Sequence, residues 1–205
     1  MSSPRRPALG STLYDLAVET FAVLLGVTIA LGAGQWQAGR EADARGARAR
    51  ARIVEEVRAN RDSVRAARDY HAGLVSALRP HMAPGDPGPG LRAFPRGFIH
   101  PAQPLTTAWD AATATDALAA MDYGEVLAFS HLYAEQRRYE ESAREGGRVI
   151  YGRLLEEGTA GIAANFRNLL SLIFAQRYLE ESLLQEYDRV LAAVGEGADG
   201  AAPSP

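Results

Sequence analysis

No cysteine and no lysine occurs in this 205-residue chain, so all 22 basic residues are arginine. Without thiols there can be no disulfide, no thiolate metal site and no cysteine nucleophile. Aromatic residues make up only 8% of the sequence and are not interleaved with a basic strip, while the net charge of -3 supplies no global positive field. Nucleic acid is therefore not an expected partner. Histidine is scarce and scattered, at positions 71, 81, 100 and 131. Long apolar runs are scarcer still. A hydrocarbon core of about 30 Å needs about 20 helical residues, and only the first apolar segment meets that length; Leu169 to Ala175 is far too short.

That segment, Thr20 to Gly39, has no ionisable side chain and closes on Gln35, Trp36 and Gln37. Extended back to Leu16, it has Glu19 near one end, where a carboxylate reaches the headgroup region, and Trp36 at the other, where an amphipathic ring suits an interface. Thr12 and Asp15 have capping-box spacing and predict a helix start near Thr12. Two rival readings of the segment are weaker. A cleaved signal peptide with Arg5 and Arg6 as its basic region is opposed by Asp15, Glu19 and a poor cleavage pattern around Gly32 and Gly34. A buried helix of a soluble core rarely runs so long without charge. Ala22, Gly26, Ala30 and Gly34 recur every four residues, the small-residue pattern that lets two membrane helices approach closely, so self-association as a homodimer is one hypothesis, the alternative being that a chain this rich in Ala and Gly produces such spacing by chance.

Between Arg40 and Pro80 there is no proline, and good helix formers with alternating charge predict that the membrane helix continues into water as one rod. Its first part, residues 40–52, carries Arg40, Arg45, Arg48, Arg50 and Arg52. This collar is expected to meet anionic head groups, with Trp36, Arg40, Arg45, Arg48 and Arg52 as the lipid contacts; Glu41 and Arg45 at four-residue spacing also suit a solvated surface. Ile53, Val57, Asn60, Val64, Ala67, His71, Leu74 and Leu78 then alternate steps of four and three, a heptad seam in which Asn60 and His71 are polar interruptions able to fix register or line a pocket.

Residues 79–104 hold seven of the eleven prolines and predict an irregular excursion, open in its first half and anchored in its second by Leu91, Phe94, Phe98 and Ile99. Thr107 with Asp110, and Asp122 with Glu125, predict two further helix starts. One long helix is expected from Tyr123 to Glu156, with Val126, Tyr133, Tyr139, Ala143, Gly147, Ile150 and Leu154 near one stripe. After a turn at Gly158 and Thr159, a last helix is expected from Ala160 to Val194, with Ile162, Phe166, Leu169, Ile173, Leu179, Leu183, Tyr187, Val190 and Val194 as its apolar stripe. The predicted fold class is all-α: a tail over 1–11, a transmembrane helix over 12–38, its continuation over 39–78, a Pro/Gly-rich loop over 79–104, an antiparallel helical bundle completed by 105–194, and a flexible tail over 195–205.

The acidic doublets Glu55-Glu56, Glu140-Glu141, Glu156-Glu157 and Glu180-Glu181 do not fit a carboxylate-bridged metal centre. Neighbouring helical residues point about 100° apart, and Ala128 occupies the place where a di-iron bundle needs Glu three residues before a histidine, here His131. They read as solvated helix faces. No phosphate-cradling loop, nucleophile elbow or metalloprotease helix is present, so neither an enzyme nor a cofactor is expected.

Val23, Leu25, Gly26, Val27, Ile29, Ala30, Leu31 and Trp36, followed by Trp109, the Leu118 to Met121 element and Leu127 to Tyr133, resemble an uncharacterised family of small bacterial membrane proteins. Gln35, Trp36 and Gln37 stand where such families usually have Asn-Trp-Asn-Glu. The resemblance implies a single-pass inner-membrane protein with an inside amino terminus and an external domain. Five basic residues after the span against Arg5 and Arg6 before it favour the opposite, cytoplasmic placement; long following domains translocate largely regardless of charge, so the periplasmic side is expected. The expected role is a membrane-anchored interaction or scaffold protein with an unidentified protein partner, the alternative being a sensory or ligand-binding helical domain.

Overall fold

The computed structural model describes residues 9–83, 86 and 89–199. Four helices carry the fold: α1, Leu9–Leu78; α2, Thr107–Ala114; α3, Tyr123–Ala164; and α4, Phe166–Asp199. Single 3-10 turns at Arg79–Met82, Leu91–Ala93 and Ala117–Ala120 fill the connections, and no strand occurs among the described residues. The chain is all-α, as its patterning predicts.

The rod is unbroken. At 1.5 Å per residue the 70 residues of α1 extend about 105 Å. Leu9 is already helical, so Thr12 and Asp15 lie inside the helix and the predicted start moves back by at least three residues. The helix runs past this capping signal even though Gly10 and Ser11 before it are not strong helix formers.

Side-chain pairings give the directions. Arg50 donates to the Val194 carbonyl, Arg61 pairs with Asp188 and His71 meets Glu180, so α4 runs antiparallel to α1. Arg50 with Glu125, Glu56 with Tyr133 and Asn60 with Gln136 rise together, so α3 runs parallel to α1. All eight residues of the heptad seam on α1 are buried, including Asn60 and His71. Each large apolar side chain there contributes about 1.5–3 kcal/mol of transfer free energy. One core cluster, nearer the span, gathers Ile53, Val57, Phe129, Leu132, Tyr187 and Val190; the other joins Leu74, Leu78, Phe98, Ile99, Leu169 and Ile173.

α2 and the Ala117–Ala120 turn cover the span-proximal end. A Cβ on Gly46 would stand 2.7 Å from the Ala120 carbonyl oxygen, so only glycine lets α1 lie this close to the Ala117–Ala120 turn. Trp109 of α2 stacks on Tyr133 of α3 with centroids 5.2 Å apart. The start of α2 differs by one residue from the capping expectation. Thr106 precedes the helix, and its hydroxyl donates to Asp110 at 2.7 Å instead of capping an amide. At α3 the expected cap is present: Asp122 Oδ1 accepts the Glu125 amide at 3.0 Å.

The predicted break falls at Gly158, whose φ of 65° and ψ of -161° lie outside the helical region. Glycine adopts a positive φ without a Cβ clash, so the chain bends there. A short helical piece then reaches Ala164 before α4 begins at Phe166, and α4 continues to Asp199, five residues past the expected end at Val194. Residues 1–8 and 200–205 of the expected tails, residues 84, 85, 87 and 88 of the open loop, and the Ile162 side chain lie outside what is described. In the loop's second half Phe94, Phe98 and Ile99 are buried as anchors, whereas Leu91 is exposed.

Candidate functional site

Three features follow one another along α1: a bare apolar third, an arginine collar and a buried polar layer. In the first, Leu16, Phe21, Leu24, Ile29 and Leu31 are 60–66% exposed, and the most apolar window of the helix has no buried residue. This helix is long and apolar enough to cross a membrane, and its most apolar segment takes no part in the core that the rest of α1 helps to build. Ala22, Gly26, Ala30 and Gly34 are exposed along it, and a Cβ on Gly26 or Gly34 would meet nothing within 4 Å. No partner for this face comes from the described part of the chain.

In the collar, the Arg40 guanidinium carbon lies 5.0 Å from the centre of the Trp36 ring, a cation–π distance. Arg45, Arg48 and Arg52 are exposed, and Arg52 pairs with Glu55 at 2.9 Å. Arg50 departs from the sequence expectation. It faces inward, grips Glu125 with two nitrogens at 2.8 Å and caps the Val194 carbonyl at 2.7 Å, so it locks three helices together. The Glu125 carboxylate raises its already high pKa. Nor do Glu41 and Arg45 form the expected pair, because Glu41 accepts from Gln37 at 3.0 Å.

The buried layer corrects the reading of the acidic doublets as solvated faces. Glu56 and Glu180 turn into the bundle. Glu56 accepts the Tyr133 hydroxyl at 2.6 Å and the Ala108 amide at 2.8 Å. Asn60 donates to the Leu105 carbonyl at 2.7 Å and accepts the Leu105 amide at 2.8 Å. Gln136 accepts from Tyr187 at 2.7 Å and from Asn60 at 3.2 Å. Farther along, His71 Nε2 accepts the His100 amide at 3.0 Å, which leaves Nδ1 as the donor to Glu180 at 2.9 Å. Tyr139 accepts the Ala102 amide at 2.9 Å, and Tyr70 donates to the Gly97 carbonyl at 2.7 Å.

Residues 97–106 thus run back along α1 without secondary structure of their own and lead into the first turn of α2. Buried backbone amides and carbonyls must find partners, and here side chains of α1 and α3 supply them in order: Tyr70, His71, Tyr139, Asn60 and Glu56. Asn60 and His71 each dock the return segment onto α1 and also join helix to helix, Asn60 to Gln136 of α3 and His71 to Glu180 of α4. Burial pushes the Tyr133, Tyr139 and Tyr187 hydroxyls far above their usual range, reinforced by Glu56, Glu180 and Glu140 respectively. Such phenols stay protonated donors. The network is spent on itself, and no group of three or more His, Asp or Glu among the described residues could hold a metal ion.

An open groove of about 690 Å³ lies between α1 and α2, floored by alanines and edged by Arg45, Arg48 and Arg52. A smaller cleft of about 560 Å³, lined by Trp36, Gln37, Arg40 and Glu41, shares Arg45 and Arg48 with it. No family model, curated protein or solved structure matches the chain.

Proposed function

We propose that the protein is a single-pass bacterial inner-membrane protein that holds a rigid helical bundle at a fixed distance from the bilayer as an interaction or scaffold module. The observation that carries this reading is the bare apolar third of α1, continuous with the bundle but touching none of it. Gly46, the first buried residue along the described side chains, comes ten residues after Trp36, so the bundle stands about 15 Å beyond that ring on an unbroken helix. The inward use of nearly every buried polar group favours a scaffold over a catalyst. The uncharacterised single-pass family that Trp36 and Trp109 suggest is in keeping with it.

The exposed Ala22, Gly26, Ala30 and Gly34 face supports a homodimer within the membrane. Two differently tagged copies expressed together are expected to be captured as a pair from native membranes, and Gly26→Ile with Gly34→Ile is expected to abolish the pairing. Capture that ignores both substitutions defeats this part of the reading.

We place the bundle on the periplasmic side. A reporter that fluoresces only in the cytoplasm, fused after Val194, is then expected to stay dark while a periplasm-active enzyme at the same point works. The reverse result moves the bundle inside. A second reading, ligand binding by the helical domain, draws on the groove between α1 and α2.

A further inference from the structure

We propose that this groove binds a single-chain anionic lipid drawn from the bilayer, with the head group held by Arg45 and Arg48 and the acyl chain laid along the alanine floor toward Leu105. The inference rests on the membrane reading above and assigns the groove beside it a ligand of stated chemistry.

The groove's dimensions come first. Its volume of about 690 Å³ falls within the roughly 300–1,000 Å³ of small-molecule sites. Ala49 and Ala59 of α1 and Ala108, Ala111 and Ala112 of α2 present methyl groups along it. Methyl groups leave a trough but offer a polar ligand nothing to bond. Leu105, 57% exposed at the lip, is an apolar side chain the bundle does not cover. Covering this surface is favourable in proportion to the apolar area removed from water, which an acyl chain can do.

Charge sets the direction of the occupant. Arg45 and Arg48 line the span-proximal end, and neither forms an ion pair among the described residues. The two carboxylates at the groove are already engaged: Glu55 with Arg52, Glu56 with the Tyr133 hydroxyl and the Ala108 amide. An anionic head group is therefore attracted at the end toward Trp36 and finds no free cation at the other.

Continuity identifies the source. Arg45 and Arg48 belong both to this groove and to the cleft that starts at Trp36 and Arg40. From Trp36 to Arg48 is twelve helical residues, about 18 Å, so a basic path leads from the bilayer interface into the apolar trough. An amphiphile climbing it exchanges one apolar environment for another and keeps its charge beside guanidinium groups throughout. A lone acyl chain suits one trough with one cationic end.

The test uses the full chain in phosphatidylcholine nanodiscs, titrated with lysophosphatidylglycerol or lysophosphatidylcholine, the retained lipid being counted by native mass spectrometry. Carbonate-resistant membrane association is measured in parallel. The wild type is expected to retain one lysophosphatidylglycerol in preference to lysophosphatidylcholine. Arg45→Gln with Arg48→Gln is expected to weaken retention about 25-fold, about fivefold for each arginine near an anionic head group. Ala111→Phe fills the trough from an exposed position on α2 and leaves the collar intact; it is expected to weaken retention at least as much, and Ala59→Phe repeats the test from α1. Undiminished retention in both Phe variants overturns the groove while leaving the membrane anchor standing, because collar charge alone then gathers the lipid. Equal retention of both lysolipids overturns it as well. Loss of carbonate-resistant association overturns the anchor and the groove together.

Discussion

Replacing His71 by alanine is expected to lower the unfolding free energy of the bundle by about 3–5 kcal/mol, the usual cost of removing one member of a buried charged or hydrogen-bonded pair. His71 and Glu180 are both fully buried, so no water can take the vacated place at Glu180 without rearrangement. The carboxylate would keep only the Tyr139 hydroxyl at 3.3 Å. A second loss adds to the first, because the His100 amide donates to His71 Nε2 and would be left without its acceptor. Against a typical total stability of about 5–15 kcal/mol this is a large fraction. Glu180→Gln keeps an acceptor for Nδ1–H in nearly the same shape and is expected to cost less, about 1.5–3 kcal/mol. Denaturant unfolding of the full chain in detergent, followed by circular dichroism, measures both.

The double variant His71→Leu with Glu180→Met separates the pair from its surroundings. A buried pair replaced by apolar groups of similar volume is often neutral or even stabilising, so much of the alanine loss should return. Part of it should not, because no apolar residue accepts the His100 amide. A His71→Ala variant within about 1 kcal/mol of wild type would mean that the network relaxes around the gap, and the docking role given to His71 would fail.

The α1 seam was legible in the sequence because its alternating steps of four and three are a local property, and every predicted position is buried. The same four-and-three spacing, extended through polar positions, also picks out Gln136 and Glu180. On α4 the spacing runs through Ile173, Gln176, Glu180, Leu183, Tyr187, Val190 and Val194, and on α3 through Phe129, Leu132, Gln136, Tyr139 and Ala143. An apolar stripe on α4 includes Leu179, which is only partly buried, and omits Glu180, which is wholly buried. A carboxylate or amide on a seam is easily read as a solvated face because an unpaired polar group costs so much inside. Its partner, however, lies 31 to 109 residues away, as in Gln136 with Leu105 and His71 with Glu180. Local spacing cannot reveal such partners. For the same reason the path of residues 97–106 is invisible in the sequence: the bonds that dock it are side chain to backbone, and nothing in the segment's own pattern records them. Arg50 was misread among its exposed neighbours because only α3 and α4 supply the groups that turn it inward.

Val23→Arg with Val27→Arg is expected to release the protein from carbonate-resistant membrane association while leaving the bundle folded. Each arginine near the centre of a spanning helix raises the insertion free energy by about 2.5–3.5 kcal/mol, and each valine lost forgoes a further few tenths, so the pair shifts the balance by about 5.5–8 kcal/mol. The remaining apolar residues cannot offset that. The two positions are four residues apart on one helical face, so snorkelling toward opposite interfaces cannot relieve both. Val23 and Val27 are half exposed and belong to neither core cluster. The unfolding midpoint of the domain beyond Gly46 should therefore stay where it is in the same detergent. A variant that keeps its carbonate-resistant association would show that the bare third of α1 is held by something other than hydrocarbon. If the bundle unfolds along with the loss of anchoring, the apolar third is also coupled to the domain, which its exposed position along α1 argues against.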